Sequence, residues 1–244
     1  MSKEKRTGGS GAKSPFKPRT KKPNFILSVI LTTAKMMFVV ALVVGVSLTG
    51  ALVGVAKAWV ETMPALDLSR FDEQAQTSYL YDKNGDLITD FKGTENRVDA
   101  TYEELPKILI NAVIASEDQR FWSHNGVDLR RLLGSIVSNL SSGGSQGGST
   151  ITQQLIKKTF LSDEQTYKRK LQEAYMALEL EKQISKEDII TEYLNVVYFG
   201  GSNYGVKVAA MDYFGKELSQ LTLRECACLA KLINKPYKLN PRRC

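Results

Sequence analysis

Apolar residues are arranged along this chain in three different ways. From Met36 to Ala56 they form an unbroken run of 21 uncharged, mostly apolar residues, and Phe25 to Ala34 before it is apolar as well. A bilayer core is spanned by about 20 such residues in a helix, so this run is long enough to cross one. Gly45, Gly50 and Gly54 do not forbid a helix there, because lipid offers the backbone no other hydrogen-bond partner. The pattern changes near Ser78. Two β-prone stretches, 78–81 and 87–91, flank Asp82-Lys83-Asn84-Gly85-Asp86, and Asn-Gly between two such stretches predicts a hairpin. From Tyr102 the spacing becomes helical. Leu105, Ile108, Leu109, Ala112, Val113 and Ala115 predict a helix over 105–118. Further helices are predicted over 129–140, 150–160, 166–183, 186–197 and 221–233. The fifth of these six starts at Ser185 with Asp188 three residues on, a capping signature, and the last stops near Pro236. Beyond short stretches no alternating strand pattern follows Phe91, so the body is expected to be mostly α.

This pattern divides the chain into a tail over 1–24, a transmembrane anchor over 25–60, a linker with a β hairpin over 61–100 and a helical domain over 101–244. The tail is rich in Lys, Arg, Gly, Ser and Pro and cannot bury a core, so it is expected to be disordered. A cleaved signal peptide competes with the anchor reading. The apolar run is long and its basic leader extended for a signal, which favours an uncleaved anchor.

Charge sharpens this picture. The chain carries a formal net charge of +7, which would suit a nucleic-acid partner. Residues 1–35, however, hold nine Lys or Arg against the single acid Glu4, leaving 24 basic and 25 acidic residues for everything after. The excess belongs to the leader, and the nearly neutral body does not read as a nucleic-acid-binding domain. A basic leader before an apolar span sets the N-terminus in the cytoplasm and the remainder outside. Cys226 and Cys228 point to different helix faces and make a poor disulfide pair, and no Cys/His cluster completes a zinc site.

Candidate chemistry gathers between Ser116 and Lys157. Glu117-Asp118 is followed by Phe121, by the chain's only histidine, His124, and by Gly126. A Ser/Gly-rich loop over 141–148 then leads into Ser149-Thr150-Ile151-Thr152-Gln153-Gln154-Leu155-Ile156-Lys157. Glu117 and Asp118 fall at the C-terminal end of a predicted helix, where the helix dipole disfavours negative charge, so some other cause must hold them there. Farther on, Arg169 and Glu173 are four residues apart and share a helix face.

Glu117-Asp118-x-x-Phe121-x-x-His124-x-Gly126 with Gly147-Gly148-Ser149-Thr150-Ile151-Thr152-Gln153-Gln154 resembles the signature of the peptidoglycan glycosyltransferases, monofunctional or as the N-terminal domain of class A penicillin-binding proteins. Arg169-Lys170-x-x-Glu173 is similar to that family's third motif, and Ile189-Ile190-x-Glu192-Tyr193-Leu194-Asn195 with Tyr198-Phe199-Gly200 to its fourth. The resemblance implies a lysozyme-like helical fold with a smaller lobe near the membrane. It implies an enzyme that polymerises lipid II into glycan strands outside the cytoplasmic membrane, with release of undecaprenyl pyrophosphate. Glu117 and Glu173 become the catalytic carboxylates, Glu117 as the base for the attacking hydroxyl and Glu173 as organiser of the donor pyrophosphate. The substrate-contacting set is Asp118, Phe121, His124, Ser149, Thr150, Gln154, Lys157, Arg169 and Lys170. Lys157, Arg169 and Lys170 supply positive charge to the pyrophosphate oxygens. A divalent cation, Mg or Mn, held with Glu173 and the pyrophosphate is a further implication. Expected partners are lipid II, the growing strand, the cytoplasmic membrane, and proteins of cell-wall synthesis or division, with no nucleic acid.

The segment Leu229 to Pro241 resembles the family's last motif, but Lys231 and Lys235 stand where small or apolar residues are usual. No Ser-x-x-Lys, Ser-x-Asn and Lys-Thr-Gly set of a penicillin-binding transpeptidase is present, which leaves a monofunctional enzyme and a piece of a bifunctional one both open. A hydrolase on a similar scaffold is the main rival. Cutting a neutral glycosidic bond needs no pyrophosphate site, so Lys157 and Arg169 speak against it. A decayed, non-catalytic scaffold is the other rival, and the presence of both carboxylates speaks against that.

Overall fold

A computed structural model describes residues 24–73, 78–91, 96–142, 147–162, 164 and 166–243. The chain divides into two compact units, 1–54 and 55–244. The expected basic tail lies almost wholly outside the described residues, as do 143–146 of the expected Ser/Gly loop and Cys244.

The first unit contributes most of one helix, α1 (Phe25–Glu61). None of its residues is buried, and among the described residues it is the one helix long and apolar enough to cross a membrane.

The second unit takes in the last turns of α1, then a short helix, α2 (Ser69–Asp72), and the expected hairpin. Strands β1 (Ser78–Tyr81) and β2 (Leu87–Phe91) pair antiparallel, with Ser78 opposite Phe91. Their turn is set by Asp82, whose carboxylate accepts the backbone N–H groups of Asn84 and Asp86, both at 2.8 Å. Strand β3 (Asn96–Arg97) follows, and then the helices take over: α3 (Lys107–Glu117), α4 (Leu129–Ser142), α5 (Ile151–Thr159), α6 (Tyr167–Leu180) and α7 (Lys186–Val196). Strands β4 (Tyr198–Gly200) and β5 (Asn203–Tyr204) come next, and then α8 (Val206–Phe214) and α9 (Leu223–Leu232).

Each helix predicted from apolar spacing is present; most have their ends drawn in where local chemistry stops them, while α4 runs two residues past its expected end, taking Ser141 and Ser142 from the expected loop. The expected start at Leu105 moves to Lys107 because Pro106 is the N-cap, where its missing N–H costs nothing. Thr150, Thr166, Ser185 and Thr222 cap the helices that follow them by accepting a backbone N–H three residues on. Such caps contribute about 1 kcal/mol each. Two features carried no signal in the pattern. Strand β5 pairs parallel with β3 and antiparallel with β4, in strands too short to alternate. Helix α8 is short and apolar nearly all round, so it has no 3.6-residue period; it lies between Gly205 at φ 86° and Gly215 at φ 64°.

The core forms where α3 packs on α9 and where α5 packs on both α6 and α7. Leu109 and Val113 of α3, Ile151 and Leu155 of α5, Met176 and Leu180 of α6, Ile189, Ile190 and Leu194 of α7, and Leu229 and Leu232 of α9 are fully enclosed. Burying one such side chain stabilises the fold by about 1.5–3 kcal/mol. These two packings decide what meets what. The first brings the segment after α9 to the end of α3. The second brings the start of α5 against side chains of α6 and α7.

Candidate active site

Glu117 is the last residue of α3 and is buried. Its carboxylate is held from three sides by neutral donors. The side-chain amide of Asn234, just beyond α9, donates to Oε1 at short range, and Ser116 Oγ lies 3.4 Å from the same oxygen. Gln154 Nε2, from the second turn of α5, donates to Oε2 at 3.3 Å. Tyr193 of α7 donates its hydroxyl to Gln154 Oε1 at 3.1 Å. Burial, and then the charge on Glu117, push the Tyr193 phenol well above its usual value.

Glu117 forms part of the wall of two clefts. The larger, of about 660 Å³, is lined by Ser149, Gln154 and Asn234 together with five cationic residues, Arg131, Lys157, Lys158, Lys231 and Lys235. The smaller, of about 330 Å³, is lined by Ala115, Gln119, Arg120 and Asp128. Ser116, Glu117 and Arg131 border both. In the smaller cleft Arg120 and Asp128 neutralise one another through hydrogen bonds of 2.7 and 2.8 Å, and those bonds hold the Asp128 carboxyl below its usual range. The excess positive charge therefore belongs to the larger cleft.

Arg131 joins the two motif segments. Its guanidinium donates to the Glu117 carbonyl and, through Nε at 3.1 Å, to the Gly147 carbonyl. Behind Ser149 sits a second carboxylate. Glu173 of α6 is 2% exposed, and Lys170 Nζ bonds both Glu173 Oε1 and, at 2.6 Å, Ser149 Oγ. Arg169 reaches Glu173 Oε2 only at 3.7 Å, and its buried Nε and Nη1 have no hydrogen-bond partner among the described residues. Lys170, not Arg169, is thus the closer partner of Glu173, because three residues along a helix also return to the same face.

Asp118, Phe121, His124 and Thr150 were expected among the substrate contacts, but the structure places them behind the clefts. Asp118 is 1% exposed; its Oδ2 is 2.8 Å from His124 Nε2 and accepts the Ile151 backbone N–H at 3.1 Å. His124 lies between Asp118 and Glu181, with Nδ1 3.9 Å from Glu181 Oε1. Glu181 also accepts from Thr152 and Lys186, and the Lys186 ammonium lies 4.4 Å from the centre of the Phe121 ring. Phe121 is fully buried. Thr150 caps α5 and donates its hydroxyl to the Gly126 carbonyl at 2.6 Å. Asp118, through the Ile151 N–H, and Thr150, through the Gly126 carbonyl, lock the two motif segments together, while Phe121 and His124 pack behind them. Glu117, Ser149, Gln154 and Lys157 line the larger cleft.

Sequence reasoning did not single out Arg131, Lys158, Asn234 or Tyr193 as site residues, although Tyr193 lies in the fourth motif and Asn234 in the last; tertiary packing brings all four to the site.

Among the described residues no group of three or more His, Cys, Asp and Glu side chains converges to hold a metal ion. Glu173 already faces Lys170 and Arg169. This donor set does not fit a divalent cation held by the protein alone.

The sequence profile of the family described as Transglycosylase matches residues 84–244. The chain belongs to the transglycosylase family. Similar curated relatives include a penicillin-binding protein 1A from Streptococcus oralis, 43% identical over 187 residues, covering 75% of this chain and 29% of the relative. Another is the penicillin-binding protein 1A of Clostridium perfringens, 41% identical over 207 residues and covering 83% and 30%. Penicillin-binding protein 1A/1B of Bacillus subtilis is 37% identical over 239 residues, covering 97% of this transglycosylase chain and 25% of its own. The chain spans under a third of the length of these relatives. It also aligns with a crystal structure of penicillin-binding protein 1A from Haemophilus influenzae at 23% identity and a TM-score of 0.35, over 70% of this chain and 16% of that one. The family assignment rests on the sequence matches.

Proposed function

We propose that this chain is a peptidoglycan glycosyltransferase that polymerises lipid II into glycan strands and releases undecaprenyl pyrophosphate. The observation that carries the reading is Glu117 on the shared wall of two clefts, only one of which holds excess positive charge. The larger cleft suits the donor, because a departing pyrophosphate gains from cations placed around it. Lys157, Lys158 and Arg131 line it, and Lys170 reaches its edge through Ser149. The smaller cleft, its ion pair already neutralised, suits the acceptor sugar.

The acceptor hydroxyl oxygen attacks the anomeric carbon of the donor. The bond from that carbon to the pyrophosphate oxygen breaks, and the electron pair leaves with the pyrophosphate. Glu117 takes the hydroxyl proton. Arg131, bonded to the Glu117 carbonyl, stands between the two reacting ends. Glu173 orients Lys170 toward Ser149 and the donor.

The basic leader and the apolar helix α1 support an anchor with its N-terminus in the cytoplasm and the second unit outside. Proteins of cell-wall synthesis or division would then be met on the outer face. The test is incubation of the detergent-solubilised protein with labelled lipid II. Polymer from the wild type, and its loss in Glu117→Gln, is the expected result. No polymer from the wild type, or an undiminished rate in Glu117→Gln, would overturn the reading.

A further inference from the structure

Tyr193 is fully enclosed in the core, so its ring needs no explanation beyond packing. Its hydroxyl does. A buried hydroxyl requires a hydrogen-bond partner, but any nearby backbone carbonyl would serve. Here the partner is Oε1 of Gln154, and the other end of that amide faces the Glu117 carboxylate. We infer that Tyr193 is a positioning residue for Glu117, acting through Gln154. This rests on the reading of Glu117 as the base.

The decisive feature is which way the Gln154 amide points. With Glu117 ionised, Nε2 must face the carboxylate, since the opposite orientation would set Oε1 against a negative charge. Tyr193 then donates to Oε1. Once Glu117 has taken the proton, the preference reverses. The acid can donate to Oε1, and Nε2 can donate to the Tyr193 oxygen. A phenol both donates and accepts, so one side chain satisfies Gln154 in both states. Phenylalanine satisfies it in neither. Burial and the Glu117 charge keep the phenol protonated, so Tyr193 itself does not compete as a base. Glu117 Oε1 stays fixed throughout by Asn234, so the exchange concerns Oε2 alone.

A double-mutant cycle tests this. Wild type, Tyr193→Phe, Gln154→Met and the double variant are assayed with labelled lipid II for kcat and KM, and with a phosphoglycolipid donor analogue for binding. Losing a hydrogen bond from a buried polar partner is expected to lower kcat of Tyr193→Phe about tenfold, with KM and analogue binding changed less than about twofold. In the Gln154→Met background the same change should alter kcat less than about twofold, because the route through the amide is already gone. An equal loss in both backgrounds, wild-type kcat in Tyr193→Phe, or an effect confined to KM would overturn the role. If Tyr193→Phe does not fold, Gln154→Met decides alone: wild-type kcat there sinks the inference. A wild type that makes no polymer sinks the functional reading and this role with it. A wild type that polymerises while the cycle is additive sinks the role only.

Discussion

Replacing Gly126 by alanine should destabilise the second unit far more than a surface glycine change does. Gly126 has φ +89°, and an added Cβ would lie 2.5 Å from the Ala177 carbonyl oxygen, 2.7 Å from its carbon and 2.9 Å from the Leu178 nitrogen. These are backbone atoms of α6 and cannot step aside as a flexible side chain could. The left-handed conformation costs an L-residue about 1–2 kcal/mol. Overpacking against a fixed wall adds about 1–3 kcal/mol. Together they come to about 2–5 kcal/mol, a large part of the roughly 5–15 kcal/mol that holds a typical domain. Gly215 is the reference: it has φ +64°, and an added Cβ there meets nothing within 4 Å. Gly215→Ala should therefore lose only the conformational part, about 1–2 kcal/mol. For a unit of this size each kcal/mol moves Tm by about 2–4 °C, so melting should drop by about 4–20 °C for Gly126→Ala and about 2–8 °C for Gly215→Ala. The site should also suffer, because the Gly126 carbonyl accepts the Thr150 hydroxyl that starts α5. Polymerisation measured well below the melting transition should fall in Gly126→Ala and not in Gly215→Ala. If Gly126→Ala melted no lower than Gly215→Ala, the contact with α6 would not be the constraint claimed for it.

Glu117→Gln should reduce polymerisation by about two to four orders of magnitude while leaving donor-analogue binding nearly intact, since a base acts mainly in the transition state. Equal losses in rate and binding would move Glu117 from base to ligand. Lys170→Met should leave Glu173, 2% exposed, with only the more distant Arg169, lowering unfolding stability by about 1–3 kcal/mol and weakening donor-analogue binding. Unchanged binding would confine Lys170 to structure. The Asp128 carboxyl is held below its ordinary value, chiefly by the Arg120 hydrogen bonds, so its stabilisation is complete above that ordinary value and is lost as pH falls through the lower folded one. Asp128→Asn should cost about 1 kcal/mol at neutral pH, since Arg120 is 44% exposed and solvent screens the pair. Denaturant curves from neutral pH down to strong acid should show a shallower acid loss in the variant; parallel curves would assign the loss to other carboxylates.

Much of the fold could be read from apolar spacing, because the helices that form the core repeat their buried positions strictly enough to show. The hairpin was equally readable, since Asp82, Asn84 and Gly85 fix the turn before any tertiary contact exists. The three-stranded sheet was not, because β3 and β5 lie more than a hundred residues apart and consist of two residues each. The site divides in the same way. Glu117, Ser149, Gln154 and Lys157 lie in contiguous motifs and reach the same cleft. Asn234 reaches Glu117 across 117 positions because α3 packs on α9. No local pattern encodes a meeting of that kind.

The neighbouring carboxylates Glu117 and Asp118 show how one packing event separates two roles. Both sit at the end of α3, where the helix dipole disfavours negative charge. Asp118 escapes that cost because its chain turns, at φ −156°, and delivers the carboxylate to the start of α5. There its Oδ2 accepts the Ile151 N–H at the end of a helix where the dipole favours an anion, and the same oxygen bonds His124. It is thereby consumed as a structural link between the two motif segments. Glu117 stays on the cleft wall with the amides of Asn234 and Gln154 and the hydroxyl of Ser116 as its donors, all of them neutral. Neutral donors fix the direction of a carboxylate without cancelling its charge, which is what a proton acceptor needs. Glu173, paired with Lys170 and Arg169, has its charge answered by cations and is suited to organising them instead. The proposed division of labour between base and donor organiser therefore rests on the partners that packing supplies, since the sequence offers three glutamate or aspartate side chains of nearly the same intrinsic chemistry.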